Sequence, residues 1–510
     1  MRTETRAAVL MGALVLSGCA TSALEMAPDQ PDRPWTPAIG AGGEILAGER
    51  PLEGQPRANN YVLPSNRSLS NVPAPPPLDA THAYGLPELI DIAQSNNPLT
   101  RVAWENARNA ALAAGIAQSA YLPNLSASVV GAYQTGQNGN TVLGQNAPNE
   151  VSDSGTISTI SAQWLLFDFG ERAAVLHAAK QISAIANIAF TATHQQVIYQ
   201  VALAFYAHAA AQAHIGSAAK ALENAKAVQA AAEARYAQGI GTTVDVAQAR
   251  QATAQTQLEQ VQAVGKGEDT YTTLLSAMGI SPLTHIKIAE VSRRKLSVAM
   301  LDPVDQIVSA ALARRPDVLT AYASHEVSLA KLRAAQAEFM PKLFLAGTGS
   351  YANAGLNLTA LPGIGQDSPT VNLSSNHLGT TVLLGVTVPL YDGGRRRALE
   401  WQARSDVAKT DATLAQVRDE ATREIVVAGN GVKTSVSAFE ASAALASAAQ
   451  VTFDAALAAY RHSVGSITEV TRAETLLLEA NNTSADAYST ALSAAATLAL
   501  SAGTLGAAPE

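Results

Sequence analysis

The side chains with reactive chemistry are few and dispersed. Cys19 is the single cysteine among 510 residues. Its thiol can form neither an internal disulfide nor a multi-cysteine metal site. Nine histidines are scattered along the chain. His194 and His208 share one long helical stretch without a nearby paired ligand, which suits packing or solvent contact better than metal binding. No phosphate loop, nucleophile elbow or HExxH pair occurs. The expectation is a protein that is not an enzyme and holds no cofactor or metal. Energy for any work it does must come from a partner.

The surroundings of Cys19 are more informative than its thiol. Arg2 and Arg6 precede a short apolar run, Ala7 to Leu16, too short to span a bilayer as a mature helix. The run ends in Leu16-Ser17-Gly18-Cys19, small residues directly before a cysteine. This resembles a bacterial lipobox. The resemblance implies a signal peptide over 1–18, cleavage before Cys19, and acylation of its thiol and new amino group. Ala20 follows, where an Asp would retain an enteric-type lipoprotein at the inner membrane, so the expected address is the outer membrane.

Composition narrows the class. The net charge is −8, and no concentrated basic run follows the signal, so no nucleic-acid partner is expected. No clean apolar run of about 18 residues follows the signal either, so any membrane insertion would use β-strands. Residues 19–84 read as an acylated, proline-rich linker, with Pro28, Pro31, Pro34 and Pro37, then Pro73, Pro75, Pro76 and Pro77. Such density favours extended chain, and some 60 residues at about 3.1 Å each could reach beyond 100 Å. The linker reads equally as a tether and as a spacer without contacts.

Landmarks recur at fixed offsets. Pro98 returns as Pro316 and Pro123 as Pro341, both 218 residues on (316 − 98, 341 − 123). Asp168-Phe169-Gly170 returns as Asp392-Gly393-Gly394, Tyr236 as Tyr460 and Gly279 as Gly503, each 224 on (392 − 168, 460 − 236, 503 − 279). The step between the two offsets locates a net six-residue insertion (224 − 218) in the second copy. Repeat 1 spans 85–300, repeat 2 spans 301–503, and 504–510 form a tail. Gly393-Gly394-Arg395 is then no phosphate site, because it matches the strand-to-helix joint of the first copy.

Each copy predicts the same elements. A helix (Leu86 to Ala120; Pro303 to Glu338) stops before a proline. Two strand runs follow, Leu125 to Gly131 with Thr156 to Leu166, and Lys342 to Tyr351 with Thr380 to Leu390. A polar loop separates each pair. The runs approach the 9–11 residues of a tilted membrane strand, although a soluble hairpin would show the same alternation. Glu171 to Gln238 and Arg395 to Val464 then contain no proline and read as helices of roughly 100 Å. A turn and a shorter helix close each copy (Thr242 to Ala277; Ile467 to Leu500). Two short helices end to end match one long helix. Four strands cannot close a barrel, so the chain is expected to oligomerise.

The turn Tyr236-Ala237-Gln238-Gly239 with Asp245-Val246, the duplication, the proline before each strand pair and the aspartate-glycine motif after it together resemble the TolC-like outer-membrane efflux factors. The resemblance covers about residues 85 to 503, and the lipobox makes it similar to the acylated subgroup. The resemblance implies an α+β membrane protein with an internal two-fold repeat. In it, long helical hairpins form a periplasmic barrel. Four strands per chain contribute to a trimeric twelve-stranded barrel in outer-membrane lipid. It further implies a homotrimer that meets a periplasmic adaptor (membrane fusion) protein linked to an inner-membrane pump.

By the same resemblance, the adaptor-contact tips fall on Gly239, Ile240, Gly241, Thr242 and Asp245, and on Val464, Gly465, Ser466, Ile467 and Thr468. Glycines there also suit a plain tight turn. Ser463 stands where the first tip has Gly239. The family's acidic gate positions fall on Glu469 and on Arg472, the latter departing from the acidic pattern. Three copies of Glu469 near an axis would favour cations, and Arg472 could pair with Glu469. The same spacing reads equally as an i,i+3 surface ion pair.

The function expected is a passive exit duct of a tripartite efflux system. The alternatives are the outer-membrane component of type I protein secretion and a periplasmic coiled-coil scaffold lipoprotein without a pore.

Overall fold

In this computed structural model, residues 78–291 and 303–506 are described, apart from 143–144, 354–356, 361–370 and 375–377. Also described are residue 296 and the stretches 26–27, 31, 35, 37–47, 62–71 and 76–77. The signal segment and Cys19 lie outside the described residues. The chain divides into two compact units, Met1–Pro77 and Leu78–Glu510. Within the first, β1 (Ala38–Ile39) pairs antiparallel with β2 (Ile45–Leu46). The Asn66 amide donates to the Gly43 carbonyl at 2.7 Å. Part of the proline-rich linker thus forms a small hairpin, where the sequence predicts extended chain. Its turn is permitted by Gly43 at φ +88.

The second unit opens with β3 (Ala83–Tyr84), α1 (Leu86–Asn96) and α2 (Pro98–Ser119). One continuous helix was expected here, but it breaks at Asn97. Proline disfavours helical backbone in the residue before it, and Asn97 sits at φ −68, ψ 124. The freed side chain caps α2, accepting from the Leu99 amide at 2.9 Å. Strands β4 (Asn124–Val142) and β5 (Gln145–Phe167) follow, then α3 (Glu171–Ala237), α4 (Thr243–Met278) and β6 (Lys287–Ile288). The second series runs α5 (Val304–Leu312), α6 (Pro316–Ala337), β7 (Lys342–Ala352), β8 (Asn357–Ala360), β9 (Val371–Ser374), β10 (Leu378–Thr387), α7 (Arg395–Arg461) and α8 (Ile467–Ser501). Arg315-Pro316 breaks its first helix in the same way, with Arg315 at φ −63, ψ 130.

Both long helices have 67 residues, roughly 100 Å at 1.5 Å per residue. They start and end 224 residues apart (395 − 171, 461 − 237). Buried positions on α7 include Leu414, Ala421, Ile425, Ala428 and Val432, the three-four spacing of helix-on-helix packing. On α3 the buried stripe is mostly alanine, with Val197, Val201, Phe205 and Val228. Small residues let neighbouring helices approach closely. Helices α2, α4, α6 and α8 all pack on α3. One 18-residue stretch of α3 is long and apolar enough to cross a membrane, contrary to the sequence reading. Only 11% of that stretch is buried, and the helix continues well past any bilayer thickness.

The sheet has the order β10-β7-β5-β4, antiparallel throughout. β5 on β7 joins the two copies. The polar region after Gly131 was expected to loop, yet pairing runs on from Gly131↔Thr156 to Val142↔Gln145. Backbone groups make the ladder, so polar side chains do not end it. One face carries Leu125, Val129, Ile160, Trp164, Val382, Leu384 and Val386, all exposed. Ser126, Ser161, Thr348 and Thr381 stand on the other, where the Ser126 and Ser161 hydroxyls lie 2.7 Å apart. β4 and β10 are the two edges of this sheet.

Strand and helix meet in matching joints. Asp168 accepts from the Gly170 and Arg172 amides at 3.3 and 2.9 Å, and Asp392 from Gly394 and Arg396 at 3.1 and 2.9 Å. Gly170 and Gly394 take φ of +97 and +90, a conformation glycine adopts at little cost.

Candidate functional site

The far ends of the long helices turn back in two tight tips. At the first, Gly239 takes φ +74, and the Ile240 and Gly241 amides both donate to the Arg235 carbonyl, at 3.0 and 3.1 Å. This closes the orphan carbonyls of the last turn. Thr242 then starts α4 with a capping box: its hydroxyl accepts from the Asp245 amide, and the Asp245 carboxylate from the Thr242 amide. At the second tip, the Val464 and Gly465 amides donate to the Ala459 carbonyl at 3.0 and 3.2 Å. Ser466 and Glu469 form the matching box. A Cβ on Gly241 would lie 2.9 Å from the Tyr236 nitrogen, and one on Gly465 3.1 Å from the Ala459 Cβ. Glycine is required at Gly241 by close approach to backbone, and a Cβ at Gly465 would crowd Ala459.

The tips are tied together. The Arg235 guanidinium, in the last turn of α3, stacks on the Tyr460 ring at 4.6 Å and donates to the Tyr460 carbonyl in the last turn of α7. Beneath it, Val228, Ala232 and Ala249 of the first hairpin pack with Phe453, Tyr460, Ile467, Val470, Ala473 and Leu477 of the second. Burial, and then the Asp245 carboxylate, push the Tyr460 phenol up. Glu474, one turn beyond Val470, is 3 % exposed, and its Oε1 has no hydrogen-bond partner among the described residues. Burial, then the Glu259 charge on α4, push its carboxyl up to about 7.

The sequence profile described as "Outer membrane efflux protein" matches residues 89–280 and 307–504. The chain belongs to that family. It is an outer-membrane efflux channel, as the TolC-like resemblance implies. Protein CyaE of Bordetella pertussis is 28% identical over 353 residues, 68% of each chain. Outer membrane protein OprJ of Pseudomonas aeruginosa is 25% identical over 334 residues, 64% of this chain and 66% of that one. In fold, the chain is similar to the outer-membrane channel OprN (TM-score 0.69, 20% identity, 87% of this chain and 98% of that one). It is also similar to VceC of Vibrio cholerae (TM-score 0.66, 20% identity, 82% and 96%). A scaffold without a pore is not what this family is. The family match covers both element series.

Most predicted tip residues stand at the two turns. Ile240 and Val464 are exposed aliphatic side chains at matching positions, Val464 at 81 %. Ile467 does not fit an adaptor contact: it is 3 % exposed and packs in the core below the tip. It is the first residue of α8, and its side chain turns toward α7. Glu469 does not pair with Arg472. Its carboxylate is engaged by the Ser466 amide at 2.9 Å, and this bond, then the Ser466 hydroxyl, hold the carboxyl below the usual range. Arg472 is exposed, with no ion pair among the described residues. No described group of three ligands could hold a metal. His208 is buried, its Nδ1 3.2 Å from the Thr270 hydroxyl.

Sequence reasoning missed Arg235, whose role depends on a residue 225 positions away, and Glu474. Tyr460 appeared there only as a landmark. Its recurrence at the Tyr236 offset was the one signal available.

Proposed function

We propose that three copies of this chain form the exit duct of a tripartite efflux assembly, anchored in the outer membrane through acylated Cys19. The observation that carries it is the four-stranded sheet with two unpaired edges, β4 and β10, and one exposed apolar face. An open edge cannot sit in lipid. Copies joined edge to edge close the ladder, and three give the twelve strands of the family's barrel. The apolar face meets lipid and the Ser/Thr face lines the lumen. The paired long helices continue the duct through the periplasm.

The tips face an adaptor through Ile240 and Val464, with the turn residues Gly239, Gly241, Thr242, Asp245, Gly465, Ser466 and Thr468 shaping the contact. The adaptor links the duct to an inner-membrane pump, which supplies energy and selects the substrate. Arg235 on Tyr460 holds the tips together, and Glu469 places a ring of negative charge at the entrance, with Arg472 one turn on. Purified protein should run as a trimer and conduct ions in planar bilayers; a monomer without conductance sinks the proposal. Glu469→Gln keeps a capping side chain, so a loss of cation preference in that variant isolates the charge. Unchanged selectivity removes Glu469 from the gate.

A further inference from the structure

The two strand-to-helix joints share geometry but not charge. In the first, Arg172 pairs with Asp168 at 2.8 Å, and Glu171 in the first turn of α3 pairs with Lys342 at 2.8 Å. Every charge there has a counter-charge. In the second, Arg396 turns to Asp392 at 3.5 Å. Arg395 and Arg397 beside it are exposed, and neither has an ion pair among the described residues. The first turn of α7 holds no acidic residue.

Three arginines at a helix N-terminus oppose the helix dipole, which favours anions there. Both copies meet that preference with an aspartate on the first amides, Asp168 and Asp392; the first adds Glu171, whereas the second sets three arginines against its single carboxylate. The neighbouring side chains point to the compensation. The exposed apolar row Val382, Leu384, Val386 and Val388 continues to Leu390, 91 % exposed, and Tyr391, 89 % exposed. Trp401 is exposed nearly two turns into α7, with Arg404 at 5.2 Å from its ring and already paired to Glu400. Apolar strand, the exposed Tyr391 ring and the exposed guanidinium groups of Arg395 and Arg397 thus follow one another along the chain. That is the order hydrocarbon, interface and headgroup impose on a membrane-facing surface.

We propose that Arg395 and Arg397 form a docking surface for anionic phospholipid headgroups at the periplasmic end of the barrel. This rests on the barrel reading above. A guanidinium offers paired N–H donors that match phosphate oxygens, and it is more weakly hydrated than an ammonium. An anionic headgroup beside the first turn of α7 would neutralise the unpaired cations and meet the dipole with the sign it favours. The second copy alone would then grip charged lipid, giving three such sites around a trimer.

The test is flotation of the full-length protein with vesicles of neutral phosphatidylcholine, with and without phosphatidylglycerol. Wild type should partition at least about fivefold better into the anionic vesicles, with the preference fading at high salt. Arg395→Gln with Arg397→Gln should lose that preference, and Arg395→Lys with Arg397→Lys should keep most of it. Equal partitioning of wild type into both vesicles, or an unchanged preference in the glutamine variant, overturns the inference. So does a glutamine variant that runs as a smaller oligomer with its lipid preference intact, since the arginines would then contact a second copy. Failure to float with either vesicle would instead strike at the barrel reading, so the two failures are distinguishable.

Discussion

The first helical hairpin, α3 with α4, and the second, α7 with α8, have long helices of equal length and matching turns but differ in what they leave unsatisfied. The first turns on Gly239 at φ +74, where the second uses Ser463 at φ +66. Glycine takes that conformation freely, whereas a residue with a Cβ is strained by it. On the first hairpin, Arg250 binds Glu233 at 3.0 Å in an exposed pair. The same positions on the second, 224 residues on (474 − 250, 457 − 233), are Glu474 and Leu457. There the carboxyl is buried and has lost its partner. The first hairpin keeps its counterpart of that charge in an exposed pair. The second carries strain and a lone buried acid, and is held by its neighbour through Arg235 and the shared tip core.

The comparison can be broken most directly at the tie itself. Arg235→Ala removes the stacking and the bond to the Tyr460 carbonyl, together worth about 2–3 kcal/mol. Single-channel conductance should rise markedly, and an unaltered conductance would mean the second hairpin stands without the first. Next comes Glu474. Its folded pKa lies above the unfolded value, so its contribution to stability is complete below about pH 4.5 and is lost as pH rises through about 7. Glu474→Gln should therefore stabilise the protein above pH 7, by about 2 kcal/mol, and flatten the dependence between those limits. Thermal melts across that range decide it, and identical curves would place the acid outside the balance.

A smaller effect is expected at the turns. Ser463→Gly should stabilise the protein by about 1 kcal/mol, and Gly239→Ser should cost about as much. Opposite shifts in melting midpoint would sharpen the contrast between tips; shifts of the same sign would erase it. The smallest effect belongs to the exposed pair. Arg250→Ala should change stability by less than about 0.5 kcal/mol, and a large loss would show the first hairpin to depend on that pair.

Much of the fold was legible because the signals are local. Pro98 and Pro316 mark helix starts, Gly170 and Gly394 mark joints, and Thr242 with Asp245 and Ser466 with Glu469 mark the returns after the tips. Each acts within a few residues through its own backbone limits or cap. The site was less legible. Ile467 belongs to the same short motif as Val464 and looks equally available, yet one is core and the other surface. Glu469 and Arg472 have pairing spacing, but the nearer Ser466 amide claims the carboxylate. The strands outran their apolar pattern because pairing depends on a backbone partner far along the chain.

By itself, the sequence determined the duplication, the lengths of the two long helices, the positions of the turns and the amphipathic strand runs. Periodicity, proline and glycine are read locally, and a 224-residue offset needs no fold to be counted. Only the tertiary structure decided which long helix the others pack on, that β5 meets β7, that Arg235 reaches Tyr460, and that Glu474 is buried while its repeat mate Arg250 is not. Those outcomes depend on which surfaces meet across hundreds of residues. Chain position alone does not encode that contact.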